Sequence, residues 1–403
     1  MQNNIYAHFG IQPIVNAVGY ASRVTGSCPH PDVIAAMAGA SAQYVELDDL
    51  IEAAGKLIHK CTGAETGIIT AGAGAALTLA AAACLAGNNP DIMDQLPDVS
   101  NCARNEIIYP TAGPFDYDHA IRLAGAKLVS IEYRDGDALE QIERAISPRT
   151  AAIGYVWYGV EDRVDLTKLV ELAHRHQLPV IMDAAFSMPP VENLTRFSRY
   201  GIDLIAYSGG KHLGGPQASG ILCGRADLIR SAWVQMVDMD VRSGTWSLQH
   251  WVEQGWISRS PRHGVGRSMK VSKESMVGLM TALERYSLRD HAAEHALWKQ
   301  NTDTLYAGLK DLPGLQVSYL NQALNGQPYT LLQIDSGSGP NGLAVRELLL
   351  ALRRLPRKII LAEDEQSADR AYLYSQCFQP GDLEYTLASI RQIVLSHADR
   401  VSR

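Results

Sequence analysis

No two of the six cysteines stand at Cys-x-x-Cys spacing; Cys28, Cys61, Cys84, Cys102, Cys223 and Cys377 lie far apart along the chain. That excludes the common zinc and dithiol motifs and leaves reduced thiols, hence a cytoplasmic setting, as the simple expectation. A block of basic residues is missing too: 36 Lys and Arg are scattered among 43 Asp and Glu, for a net charge of −7. Such a chain lacks the electrostatic footprint of a nucleic-acid binder or of a protein held on an anionic membrane. No apolar run reaches bilayer-spanning length. The longest candidate, "AGAGAALTLAAAACLAG", is short, alanine-rich and opened by glycines, and reads as a buried helix. The start, "MQNNIYAHFG", lacks the basic and apolar regions of a signal peptide. There is neither an internal repeat nor a low-complexity segment.

What is present is an ordinary globular composition, 46% apolar and 20% charged, over 403 residues, enough for two or three domains. Between residues 64 and 224, short β-rich runs alternate with amphipathic ones. The strand candidates are "GIIT", "EIIY", "KLVSI", "AAIGYV", "PVIMD", "DLIAYS" and "GILCG". Between them lie helical patterns such as "DHAIRLAGA" and "DLTKLVELAHRHQ", in which Leu166, Leu169, Val170, Leu172 and Ala173 recur at the helical period. Nearly all-apolar strands alternating with helices predict a mostly parallel sheet covered on both faces. Beyond residue 266 long helical patterns ("KESMVGLMTALERYS", "NGLAVRELLLALRRL", "GDLEYTLASIRQIVLSHA") surround the short strands "LQVSYL", "YTLLQID" and "KIILA", which predicts a smaller α+β domain. The expected division is a segment 1–45, a large α/β domain 46–266 and a small domain 267–403.

Ligands of open α/β sheets sit at the carboxyl ends of the strands. Three features fall at such ends. In "TAGAGAALTL" a strand passes through Gly72, Ala73 and Gly74 into a helix, whose free N–H donors suit a phosphate, although Gly-Ala-Gly is also common in tight strand–helix turns. In "PVIMDAAF" Asp183 closes an apolar strand; a turn or helix-cap aspartate would look the same. In "YSGGKHLGGPQASGIL" Ser208 and Lys211 follow a strand, with Lys211 between two glycine pairs. Glycine is favoured where backbone comes close to something or takes positive φ, so this lysine is expected to reach a bound group rather than water. A phosphate cradle, a strand-end carboxylate and a Gly-flanked lysine together suit pyridoxal 5′-phosphate. Its aldehyde takes a lysine amine, its pyridine nitrogen a carboxylate, and its phosphate backbone donors.

These residues resemble a known family. The stretches "YAHFGIQPIVNAVGYASRVTGS", "GAETGIITAGAGAALTLAAAACLAG", "FDYDHAIRLAGAKLV", "PVIMDAAF", "SGGKHLGGPQASGIL" and "GVGRSMKVSKE" are similar to the selenocysteine synthase-like branch of fold type I pyridoxal-phosphate enzymes. The resemblance is strongest to the subgroup containing D-glucosaminate-6-phosphate ammonia-lyase. It implies a seven-stranded, mostly parallel sheet in a large domain and a smaller C-terminal α+β domain. It also implies Lys211 as Schiff-base lysine, Asp183 as partner of the pyridine nitrogen, Gly72, Ala73 and Gly74 as the phosphate turn, and Ser208 as its helper. Arg267 in "GVGR" and Arg23 in "YASRVTG" are candidates to hold a substrate carboxylate or phosphate, because a guanidinium fork fits either group; a structural ion pair is the competing role for both. The family turn often reads Ser-Gly-Ala-Ala where this chain has Ala-Gly-Ala-Gly, and "YPTAGP" departs from the subgroup's basic, His-containing pattern.

The implied activity is an α,β-elimination that turns a hydroxylated amino acid, such as an amino sugar acid, into a 2-keto-3-deoxy acid and ammonia. Selenium transfer onto seryl-tRNA, or aldolase, racemase or transaminase chemistry, are the alternatives. An acidic chain argues against the tRNA substrate. The family further implies a homodimer or a larger even-numbered homo-oligomer.

Overall fold

The computed structural model describes residues 5–111, 117–132, 136–157, 164–238, 240, 242, 244–324, 326–337 and 342–401. Among them twelve strands form two sheets. The first, β1 (Val15–Ala17), belongs to the smaller sheet. The larger sheet holds β2 (Thr66–Thr70), β3 (Glu106–Thr111), β4 (Lys127–Glu132), β5 (Thr150–Val156), β6 (Val180–Asp183), β7 (Leu204–Ser208) and β8 (Gly220–Gly224). Then β9 (Leu315–Leu320), β10 (Leu331–Ser336), β11 (Ile359–Glu363) and β12 (Arg370–Leu373) complete the smaller one.

By compactness the chain divides into Pro29–Arg289 and a second unit made of Met1–Cys28 with Asp290–Arg403. The boundaries expected at 45/46 and 266/267 therefore shift, for two physical reasons. The helices Pro31–Ser41 and Lys273–Leu288 pack on each other so closely that a Cβ on Gly278 would stand 2.7 Å from Met37 Cγ, which draws both into the large unit. At the other end β1 pairs in parallel with β11, Val15 opposite Ile359, which ties the first residues to the last.

In the large unit the strand order is β2-β8-β7-β6-β5-β3-β4, and β8 alone runs against the others. β5, β6 and β8 are buried at every residue, as befits strands covered on both faces. The alanine-rich segment is the helix Ala73–Ala86, buried from Ala76 to Ala83, and it packs against β5, β6, β7 and β8. Alanine suits that place: it has the best helix propensity and lets the helix lie close on the sheet. No helix among the described residues is long and apolar enough to cross a membrane.

The small unit is a five-stranded sheet, β1-β11-β12-β10-β9, antiparallel apart from the β1–β11 pair. The helices His291–Leu309, Val345–Arg354 and Asp382–Val401 share its core through Leu305, Leu348 and Ile390.

At the amino ends of the large unit's strands, Asp203 anchors three elements. It is 4% exposed, and its carboxylate accepts from Val180 N–H at 2.8 Å and Arg225 Nη1 at 3.0 Å, with His174 Nε2 at 2.9 Å. Asp203→Ala leaves the buried Val180 N–H without its acceptor and removes the partner that His174 and Arg225 share. It is expected to cost about 3 kcal/mol of stability, read as a shift in urea midpoint at unchanged slope, and Asp203→Asn less. Binding of small molecules at the opposite strand ends should be unaffected.

Candidate active site

β6 and β7 end side by side, with Asp183 opposite Ala206. Side chains alternate along a strand, so Asp183, Ala206 and Ser208 point to one face of the sheet. Ser208 is half-buried at the end of β7, and Lys211 follows three residues later in a tight turn. In that turn Gly214 N–H donates to the Lys211 carbonyl at 2.9 Å, and Gly215 N–H to the Gly209 carbonyl at 2.9 Å. Gly209 N–H reaches the Ser219 carbonyl at 2.8 Å, folding the segment back on β8.

The glycines around Lys211 answer to this folding. A Cβ on Gly209 would collide with Ser219 Oγ, one on Gly210 would sit 2.7 Å from the Gln217 backbone, and one on Gly215 2.8 Å from Leu279 Cδ1. Gly214 takes φ 74°, a conformation costly for side chains. The expectation that the glycines mark close approach holds, but the approaching group is the chain itself.

The second component arrives through β8. Gly72 caps the helix Ala73–Ala86 with φ 115°, and no side chain caps this helix end. The first intrahelical bond runs from Ala76 N–H to the Gly72 carbonyl at 3.0 Å, so by helix geometry the N–H groups before it point outward unbonded. Thr70 Oγ1 holds the Gly72 carbonyl at 2.9 Å and Thr78 Oγ1 the Gly74 carbonyl at 3.1 Å. A Cβ on Gly72 or Gly74 would meet nothing within 4 Å, so space lies open beside both. The turn rests on Gly220, the cross-strand partner of Ser208: a Cβ there would stand 2.5 Å from the Gly72 carbonyl carbon and 2.7 Å from Ala73 N. Gly72, Ala73, Gly74, Ser208, Asp183 and Lys211 thus collect at the carboxyl ends of β2, β6 and β7.

Gly220 was not singled out by sequence reasoning, since glycine at the start of a strand carries no visible signal. Gly220→Ala must push the turn away from the strand ends. The expected result is about five- to 150-fold weaker binding of a phosphate-bearing ligand to the stripped protein, since overpacking costs about 1–3 kcal/mol. Titration followed by absorbance measures it.

Burial sets the electrostatics. Asp183 is 6% exposed, and burial pushes its carboxyl up, while the Ala185 N–H at 2.9 Å and the Lys211 ammonium hold it down. The Ala185 bond is the ordinary turn role a strand-end aspartate can play, and it uses only one oxygen. For Lys211 burial lowers the pKa and Asp183 opposes it. A third side chain completes the pair: the Lys211 Nζ lies 4.5 Å from the centroid of the Phe186 ring. Phe186 stands in the quoted stretch "PVIMDAAF", yet nothing in the sequence gave it a role.

The two arginines are already engaged. Arg267 Nη2 donates to Asp238 Oδ2 at 2.6 Å, in a short helical turn packed on the helix Ala73–Ala86 through Gly266 and Leu79. Arg23 lies in the small unit, with Nη2 donating to the Leu361 carbonyl at 3.3 Å and Nη1 3.6 Å from Glu363. Both make the ion pair that competes with an anion-binding role. The second half of "YPTAGP" lies outside the described residues, and no metal-ligating cluster occurs among those described.

The residues present fit pyridoxal phosphate: open room beside uncapped N–H groups for a phosphate, a buried carboxylate with an oxygen to spare, and a half-buried amine. Comparison with known proteins agrees. Residues 48–239 match the family model described as L-seryl-tRNA selenium transferase. The chain is 28% identical to the 5′-C-glycyluridine monooxygenase-decarboxylase of a Streptomyces species, over 97% of this chain and 92% of that one. It is 27% identical to the D-glucosaminate-6-phosphate ammonia lyase of Salmonella typhimurium, over 99% of this chain and 100% of that one. A solved structure of D-glucosaminate-6-phosphate ammonia-lyase superposes with a TM-score of 0.79 at 26% identity, covering 99% of this chain and 100% of that one.

Proposed function

Since the chain belongs to the pyridoxal-phosphate enzymes of fold type I related to L-seryl-tRNA selenium transferase, we propose that it is a lyase acting on a hydroxylated amino acid. In this reading it removes the Cα proton and the β-hydroxyl, and hydrolysis then yields a 2-keto-3-deoxy acid and ammonia. The substrate class is an amino sugar acid of the D-glucosaminate type. The observation that carries the reading is the convergence of Lys211, Asp183, Ser208 and the 72–74 turn at one set of strand ends, in a chain alike over its whole length to an ammonia lyase.

Pyridoxal phosphate, when bound, supplies an aldehyde that captures amines and a ring that accepts the electrons left when a Cα bond breaks. The chain's own residues do the rest. The N–H groups at Gly72, Ala73 and Gly74 would hold the phosphate with the positive end of a helix behind them, and Ser208 beside them offers a hydroxyl. Asp183 would hold a proton on the ring nitrogen. Lys211, whose ammonium burial disfavours and Asp183 favours, would take the Cα proton once its amine has lost its own proton. Arg267 would bind the substrate's anionic group in competition with Asp238, and Arg23 in competition with Glu363. The active form is a homodimer or a larger even-numbered oligomer in the cytoplasm.

Purified protein incubated with a panel of polyhydroxy amino acids, phosphorylated and not, tests this reading. Equimolar ammonia and keto acid is expected from at least one member. Oxygen uptake without ammonia would favour the monooxygenase-decarboxylase chemistry of the Streptomyces relative instead, and no turnover of any member would count against the lyase.

A further inference from the structure

The residues Asp183 to Ser187 form one turn at the end of β6. Ala185 N–H closes onto the Asp183 carboxylate at 2.9 Å, and Ser187 N–H onto the Ala184 carbonyl at 3.1 Å. The turn therefore presents two different groups to Lys211. One is the carboxylate of Asp183, the charged group that acts on this amine. The other is the ring of Phe186, with the Lys211 Nζ 4.5 Å from its centroid. Phe186 stays 38% exposed, so the ring is not simply filling the core. An ammonium over an aromatic face is attracted by the ring quadrupole, and more strongly when partly desolvated.

We propose that Phe186 is a positioning residue for Lys211: its ring is the seat on which the lysine side chain rests in its ammonium form, when its nitrogen is not bonded to another group. A lysine has four rotatable side-chain bonds, and a released amine would otherwise sweep a wide volume. Resting on a fixed ring keeps it beside Asp183, within reach of the strand ends where it must act. The use of such a seat in catalysis rests on the cofactor reading above; the contact itself does not.

The test uses the full-length chain stripped of any cofactor and follows the Lys211 amine by competitive acetylation across a pH series, read by mass spectrometry of its peptide. Phe186→Leu keeps an apolar side chain of similar burial and removes the quadrupole. Its Lys211 pKa is expected to fall by about half a unit, which raises acetylation below that pKa about threefold. Phe186→Tyr keeps the ring and should match the parent protein. An unchanged or raised pKa in Phe186→Leu, or the same fall in both variants, overturns the seat. Borohydride reduction after pyridoxal phosphate is added back separates the two readings. Label fixed at Lys211 without the half-unit shift leaves the cofactor and removes the seat; the shift without fixed label keeps the seat and removes the cofactor.

Discussion

Lys211→Ala is expected to give a folded but colourless protein that releases ammonia from its substrate at least about 10³-fold more slowly than the parent. Two losses combine in this variant. The amine that would bond the cofactor aldehyde is gone, so borohydride adds no cofactor mass to the 207–222 peptide. The base for the Cα proton is gone as well, and such a base contributes about 10²–10⁴-fold. Because the glycines of the turn answer to Ser219, Gln217 and Leu279 and not to the lysine, the turn should keep its shape. A small amine such as methylamine should restore part of the rate by serving as a diffusible base. Retained turnover with label fixed at another lysine would end the assignment.

Asp183→Asn is expected to keep the cofactor and lose most of the turnover. The amide oxygen can still accept from Ala185 N–H, so the turn survives, but the negative charge does not. Opposite charges at about 4 Å are worth about 4 kcal/mol at an effective dielectric of 20, or roughly three pKa units on the ring nitrogen. The expected fall in kcat is therefore about 10²–10³-fold, with KM changed far less. Asp183→Glu, which restores the charge at a longer reach, should recover part of it. A fall of less than about tenfold in the asparagine variant would show that Asp183 is a turn aspartate and no more.

The large sheet was legible in the sequence because most of its strands are short, nearly all-apolar runs alternating with amphipathic helical ones. All seven quoted runs are strands, and the alanine-rich segment is the buried helix. β1 escaped because three residues with Asn16 in the middle show no periodicity; its strand character comes entirely from Ile359, Ile360 and Leu361 across the pair. β12 escaped likewise, being four residues set between β10 and β11. The domain boundaries escaped because they depend on which distant elements meet, as Met37 meets Gly278. At the site, Lys211 and Asp183 could be found because a charged residue at an apolar strand end is conspicuous. Gly220 and Phe186 could not, since each matters only through what the fold brings against it. Arg267 and Arg23 were visible as arginines, while their partners Asp238 and Glu363 were not visible as partners.

The pairing of Val15 with Ile359 has a bearing on how a ribosome must make this protein. At about 5–20 residues per second, the interval between the emergence of the two strands is on the order of tens of seconds. The 29–289 unit has its whole sequence available before Ile359 emerges, whereas the small sheet must recruit Val15–Ala17, made long before, to pair with Ile359–Leu361. An amino-terminal fusion that hinders that late recruitment should therefore lower the soluble yield more than a carboxyl-terminal one.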